Sequence, residues 1–128
     1  MVKFIHIALG GAIGALLRYW GSGLIYRFYH GTFPWGTLLV NLSGSFVIGL
    51  LWGVFETVVI SQNVKSFLFI GILGSFTTFS TFSLENFHLL RDGEYMLAGI
   101  NIAASLILGI TLVVCGFFLS RSVLNIIR

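Results

Sequence analysis

The residues richest in chemistry lie in one short stretch, Gly74-Ser75-Phe76-Thr77-Thr78-Phe79-Ser80-Thr81-Phe82-Ser83. Phenylalanines recur there at steps of three, at Phe76, Phe79 and Phe82, among hydroxyl side chains. An aromatic ring has a positive edge, and hydroxyl and amide hydrogens also present positive ends. Together such groups can replace part of the hydration shell of a small anion. They do so without a full positive charge, which would hold the ion too tightly for fast release. The plainer reading of phenylalanines on one face is core packing. Their alternation with Thr77, Ser80, Thr81 and Ser83 favours the anion reading.

The same stretch is a poor helix. Glycine is a weak helix former, and hydroxyl side chains compete for backbone hydrogen bonds. A break is expected between Gly74 and Thr78. Backbone freed there at membrane depth must be buried or line a cavity, and its carbonyls suit a hard cation such as sodium. Two further stripes run at steps of four: Thr37, Asn41, Ser45, Gly49 and Gly53, then Asn101, Ser105 and Gly109. Interhelical hydrogen bonding explains Ser45 and Ser105 as readily as a pathway does; the bulkier amide of Asn41 is harder to explain as filler. The only acids are Glu56, Glu85, Asp92 and Glu94. None falls in the middle third of a span, and Glu85 is placed at a mouth of the pathway. Proton-coupled and cation transport use embedded carboxylates, so the preference is for anions or neutral solutes. His6, His30 and His88 lie far apart near helix ends. No metal-ligand spacing and no nucleophile–base pair is visible, so the chain does not read as an enzyme.

The elements that must position these residues are membrane helices. Of 128 residues, 57% are apolar and only 9% charged, and the mean hydropathy is +1.02. A soluble domain of this size needs far more charge to cover its surface. Four continuous apolar segments cover residues 4–28, 37–59, 64–90 and 95–119, each long enough for the roughly 20 residues that cross a bilayer. Membrane strands would alternate instead. The reading is an all-α membrane protein of one domain, residues 1–128, with four transmembrane helices and the third broken. Pro34, the only proline, suits the start of the second helix. Gly10 and Gly14, and Gly49 and Gly53, are spaced for close helix packing in lipid.

A net charge of +3 does not point to nucleic acid, because the seven Lys and Arg are scattered singly. They are also nearly balanced between the two ends. Lys3, Lys65, Arg121 and Arg128 lie on the side of the termini, and Arg18, Arg27 and Arg91 on the other. So weak a bias leaves open one fixed orientation or insertion both ways with antiparallel pairing. Cys115, the only cysteine, excludes an intrachain disulfide and is expected to pack as a small hydrophobe. The start of the chain has the first two regions of a signal peptide but no clear cleavage site before Tyr26, so no cleavage is expected.

The residues now resemble a known family, the Fluc (CrcB-like) fluoride channels. The matching pieces are Gly10-Gly11-Ala12-Ile13-Gly14-Ala15-Leu16-Leu17-Arg18-Tyr19, then Gly36-Thr37-Leu38-Leu39-Val40-Asn41, then the stretch from Gly74 through Ser83 with Leu84 and Glu85. The resemblance covers essentially the whole chain, and its third piece is the most specific. It implies passive export of fluoride across the cell (inner) membrane, protecting the cell from fluoride toxicity. It also implies an antiparallel, dual-topology homodimer with two pores. It would assign the pore to Asn41, Phe79 and Phe82, with Thr37, Ser80, Ser83 and Ser105 on the polar lining, and Arg18 and Glu85 near a mouth. Gly74 and Thr77 would offer backbone carbonyls to a structural sodium ion at the dimer centre. The chain departs from the family pattern at Gly109, where a pore serine is expected, and at Asn101, where some members carry an aromatic. Ser75 replaces a second glycine. The alternative, a small multidrug-type exporter with the same length and topology, would need an acid inside the first helix, which has none.

Overall fold

A computed structural model describes residues 1–127 and is all-helical over them. Helix α1 spans Val2–Phe28 and α2 spans Trp35–Phe55. The third crossing, Gln62–Arg91, is a composite. It opens with α3 (Gln62–Lys65), capped by the Ser61 hydroxyl, which accepts from the Val64 N–H. It continues as a π-helix over Ser66–Leu73, then α4 (Gly74–Phe76), a two-residue break, and α5 (Phe79–Arg91). Helix α6 spans Tyr95–Ile127. All four crossings are long and apolar enough to span a membrane.

Glycine lets the helices meet. A Cβ on Gly10 or Gly14 would run into the backbone carbonyls of Phe67 or Ile72 in the π-helix, and one on Gly49 into the carbonyl of Val113 in α6. These are the close approaches expected of the two glycine pairs, since lipid offers no hydrophobic force to press helices together. The most extensive contact is α2 on α6, followed by α1 on the π-helix, while α2 barely touches the π-helix. A cleft is therefore left between α2 and the third crossing.

Three details depart from the sequence reading. The second helix ends at Phe55 rather than at 59, because the β-branched run Thr57-Val58-Val59 is stiff in a helix. The fourth helix continues past 119 to Ile127. Its extra turns are held to α2, with Ser120 buried against Gly53 and Arg121 3.6 Å from Glu56. Pro34 stands at the entry to α2, as expected, in the position just before its first residue. Cys115 is exposed on the outer face of α6, not packed. The expected position of Arg128 lies outside the described residues. The turn between α5 and α6 is closed by Gly93 at φ 82°, with its N–H on the Leu90 carbonyl and that of Glu94 on the Leu89 carbonyl. Only a residue tolerant of positive φ serves there.

Candidate functional site: a cleft at a broken membrane helix

The break sits at Thr77 and Thr78, the middle of the 30-residue third crossing. Both residues are extended, with ψ of 155° and 124°. Two side chains hold it open. Asn41 on α2 behaves like a short piece of strand: its Nδ2 donates to the Thr78 carbonyl at 2.9 Å, and its Oδ1 accepts from the Thr78 N–H at 2.8 Å. The Thr78 hydroxyl caps α5 by accepting from the Thr81 N–H at 3.2 Å.

These bonds have a consequence for the carbonyls behind them. In an unbroken helix the Thr78 N–H would serve the Gly74 carbonyl, and the Thr81 N–H the Thr77 carbonyl. Both N–H groups are engaged elsewhere. The Gly74 and Thr77 carbonyls thus lose their helical donors, and these are the two that the sequence reading singled out. Gly74 is exposed at the surface of the subunit. The Thr77 hydroxyl is turned back onto the Leu73 carbonyl at 2.9 Å. Among the described residues no cluster of His, Cys, Asp and Glu side chains is placed to hold a metal. A cation at this point would be held by main-chain oxygen, which fits a hard alkali ion.

Beside the break lies a cleft of about 350 Å³. Asn41, Gly44 and Ser45 of α2 line one wall, Gly74, Thr77, Thr78, Phe79 and Phe82 a second, and Ser105 and Leu106 of α6 a third. The two rings stand 5.7 Å apart between centroids and are tilted by 37°. Phe79 is 78% exposed at the edge of the cleft. Ser105 Oγ is buried and has no hydrogen-bond partner among the described residues. A buried hydroxyl without a partner carries a desolvation cost, so a polar ligand in the cleft would relieve it.

The structure brings Asn41, Phe79, Phe82, Ser105, Gly74 and Thr77 together at this cleft. It sets the other sequence-selected residues apart. Ser80 is exposed and lies 3.2 Å, Oγ to Oγ1, from Thr78; Ser83 is exposed and donates to the Phe79 carbonyl. Thr37 is buried and donates at 2.6 Å to Glu85 Oε1, which Tyr26 also approaches at 3.4 Å. Glu85 lines a smaller pocket of about 170 Å³ with Tyr26, Pro34, His88 and Asp92, at the end of α5 away from the break. Arg18 is half-buried on α1 and lines neither pocket. Asn101 does not line the cleft and bonds Asn86, while Gly109 lies against Ser45 Oγ. Thr78 and the apolar wall of Ile48, Phe69 and Leu73 were not singled out by sequence. The signal for Thr78 was available: a threonine directly before a helical run is a cap.

The family described as "CrcB-like protein, Camphor Resistance (CrcB)" matches residues 5–117. Among curated relatives, the "Fluoride-specific ion channel FluC" of Parabacteroides distasonis is 42% identical over 128 residues, all of both chains. The protein of the same description from Thermococcus gammatolerans is 47% identical over 120 residues, covering 91% of this chain and 94% of that one. That from Geobacter sulfurreducens is 47% identical over 109 residues, covering 84% and 88%.

Proposed function

This chain belongs to the CrcB-like protein family, and from that membership we infer that it is a fluoride channel, conducting the ion through the cleft beside Phe79 and Phe82. It is a multi-pass membrane protein, of the inner membrane in a bacterial cell, and not an enzyme. The single observation that carries the conducting site is the convergence on one mid-membrane cleft of a helix break, two phenylalanine rings and the Ser105 hydroxyl, unpartnered among the described residues. Among the described residues no lysine, arginine or carboxylate lines it. Fluoride there exchanges water for ring-edge hydrogens, the Ser105 hydroxyl and the second N–H of the Asn41 amide, whose first is spent on Thr78. With dipoles alone the ion is bound loosely enough to leave, and flow follows its gradient. The result would be passive export that protects the cell from fluoride. A multidrug-type exporter is disfavoured by the absence of any acid in α1.

The working unit in this reading is a homodimer. One subunit alone would present to lipid an exposed Phe79 and the exposed residues Gly74, Ser80 and Thr81 at the middle of a crossing. Non-helical backbone at that depth requires cover by protein or water, and a second copy is the simplest cover. The near-balance of basic residues supports antiparallel pairing. At one end Arg121 is partly offset by Glu56, and at the other Arg91 by Asp92. The Gly74 and Thr77 carbonyls of both copies would hold a sodium ion, which when bound supplies positive charge between the subunits. Thr37, Ser80 and Ser83 extend the polar lining, and Glu85 and Arg18 stand toward the mouths.

The test is efflux from liposomes holding the purified protein, read with fluoride and chloride electrodes. Fluoride should leave rapidly and chloride hardly at all; equal release of the two would overturn the selective channel.

A further inference from the structure

We propose that Asn101 and Asn86 act as a positioning pair that sets where Phe82 stands in the cleft; this rests on the channel reading above. Neither residue lines the cleft. Asn101 is 1% exposed and Asn86 is 5% exposed, so both are enclosed within one subunit. Asn101 Nδ2 on α6 donates to Asn86 Oδ1 on α5 at 3.3 Å. Asn86 Nδ2 in turn donates to the Phe82 carbonyl at 2.7 Å. In a helix that carbonyl already accepts the backbone N–H of Asn86. One residue therefore holds the turn bearing Phe82 by two donors, and α6 holds that residue.

The geometry links the two walls of the site. Ser105 lies four residues beyond Asn101, one turn along the same face of α6. It lines the cleft together with Phe82. The Asn101–Asn86–Phe82 chain of bonds thus fixes the height and rotation of α5 against α6, and so the gap between the Phe82 ring and the Ser105 hydroxyl.

Adhesion alone does not account for the pair. Asn101 Oδ1 is buried and has no hydrogen-bond partner among the described residues. An orphaned carbonyl of this kind is costly, and an interhelical side-chain bond in lipid returns little. Apolar packing between the same two helices is already present, with Leu89 and Ala98 buried. Packing, however, has no direction and tolerates sliding. A buried amide pair with one allowed register gives the contact a direction at the expense of stability, as polar core residues do in coiled coils.

The experiment compares Asn101→Leu, Asn86→Leu and the double variant with the parent. Leucine matches asparagine closely in shape and makes no hydrogen bond. Fluoride efflux is measured per folded protein in liposomes, and thermal stability in detergent on the same preparations. A single 4-fluorophenylalanine at position 82 reports the ring by 19F NMR. Each single variant should slow fluoride efflux about tenfold or more with little change in melting temperature. The double variant should be no slower than the worse single one, because the two residues act as a unit. The NMR line should move or split in all three. Where a leucine variant fails to fold, Asn101→Ser and Asn86→Ser are read by the same criteria. Normal efflux with an unmoved line in folded variants would overturn the proposal, as would losses that simply add. A parent that passes no fluoride would overturn the channel reading instead, and the NMR line would still test the positioning.

Discussion

Replacing Asn41 by Leu removes both bonds that hold the break open while keeping the branched outline of the side chain. The size of the loss distinguishes two outcomes. Suppose the break heals, with the Thr78 N–H returning to the Gly74 carbonyl. Then only two interhelical bonds are lost, at about 0.6 kcal/mol each in lipid, or about 1 kcal/mol together. Suppose instead that packing keeps Thr77 and Thr78 extended. Then the N–H and carbonyl of Thr78 are left buried and unpaired, at about 1–3 kcal/mol each, or roughly 2–6 kcal/mol in all. We expect the larger value. Thr78 is buried and still fastened by its hydroxyl to Thr81, and Thr77 is wedged against Gly44, where a Cβ would meet its methyl. The assay is reversible unfolding of the protein in mixed micelles, followed with fluoride efflux at several sodium concentrations. Efflux should fall and its sodium dependence should change, because the freed carbonyls move with Thr78. A stability loss under about 0.5 kcal/mol with unaltered sodium dependence would refute the clamp, since that is below the value of even two average bonds.

Phe82→Ile keeps an apolar side chain but removes the ring quadrupole; if the ring only filled space the loss would be about 1 kcal/mol of stability. Fluoride efflux should instead collapse in protein that still folds, and normal efflux would exclude the ring-edge role. Gly49→Ala should destabilise by about 1–3 kcal/mol through overpacking against the Val113 carbonyl. The same change at Gly23, which has open space around it, should be neutral or slightly stabilising in the same unfolding assay. In the α5–α6 turn, the Arg91 hydrogen bond holds the Asp92 carboxyl below its ordinary range. A depressed folded value means the contribution is present above the usual aspartate range and disappears as pH falls through the lowered value. An NMR titration should show Asp92 ionising at lower pH than in the Arg91→Gln variant, and identical midpoints would contradict it.

Local chemistry and periodicity were enough for much of this protein. Apolar runs of about 20 residues or more with so few charges read as membrane helices, so the four crossings were readable, as was the glycine spacing at 10, 14, 49 and 53. The break at Thr77–Thr78 was readable because glycine and hydroxyl residues weaken a helix wherever they occur. The π-helix at Ser66–Leu73 was not. Its residues are plainly apolar, and the extra residue per turn belongs to the fit against Gly10 and Gly14 of α1. The helix ends also escaped, since Glu56 and Arg121 meet only once α2 and α6 are packed.

Within the site, residue type and spacing drew attention to Asn41, to the phenylalanines of the third crossing and to a break between Gly74 and Thr78, while the family resemblance gave Phe79, Phe82, Ser105, Gly74 and Thr77 their places. What each one does was decided by tertiary structure. Asn41 turned out to be a backbone clamp as well as a lining residue, and Thr37 a partner of Glu85 away from the cleft. Asn101, read as a departure in the lining, became a buried bond to Asn86. A sequence states which polar groups must be satisfied, but a hydrogen bond reaches only about 3 Å. The partner of each group depends on which helix faces meet, and residues 41 and 78, or 86 and 101, are brought within that distance only by the packing of the whole bundle.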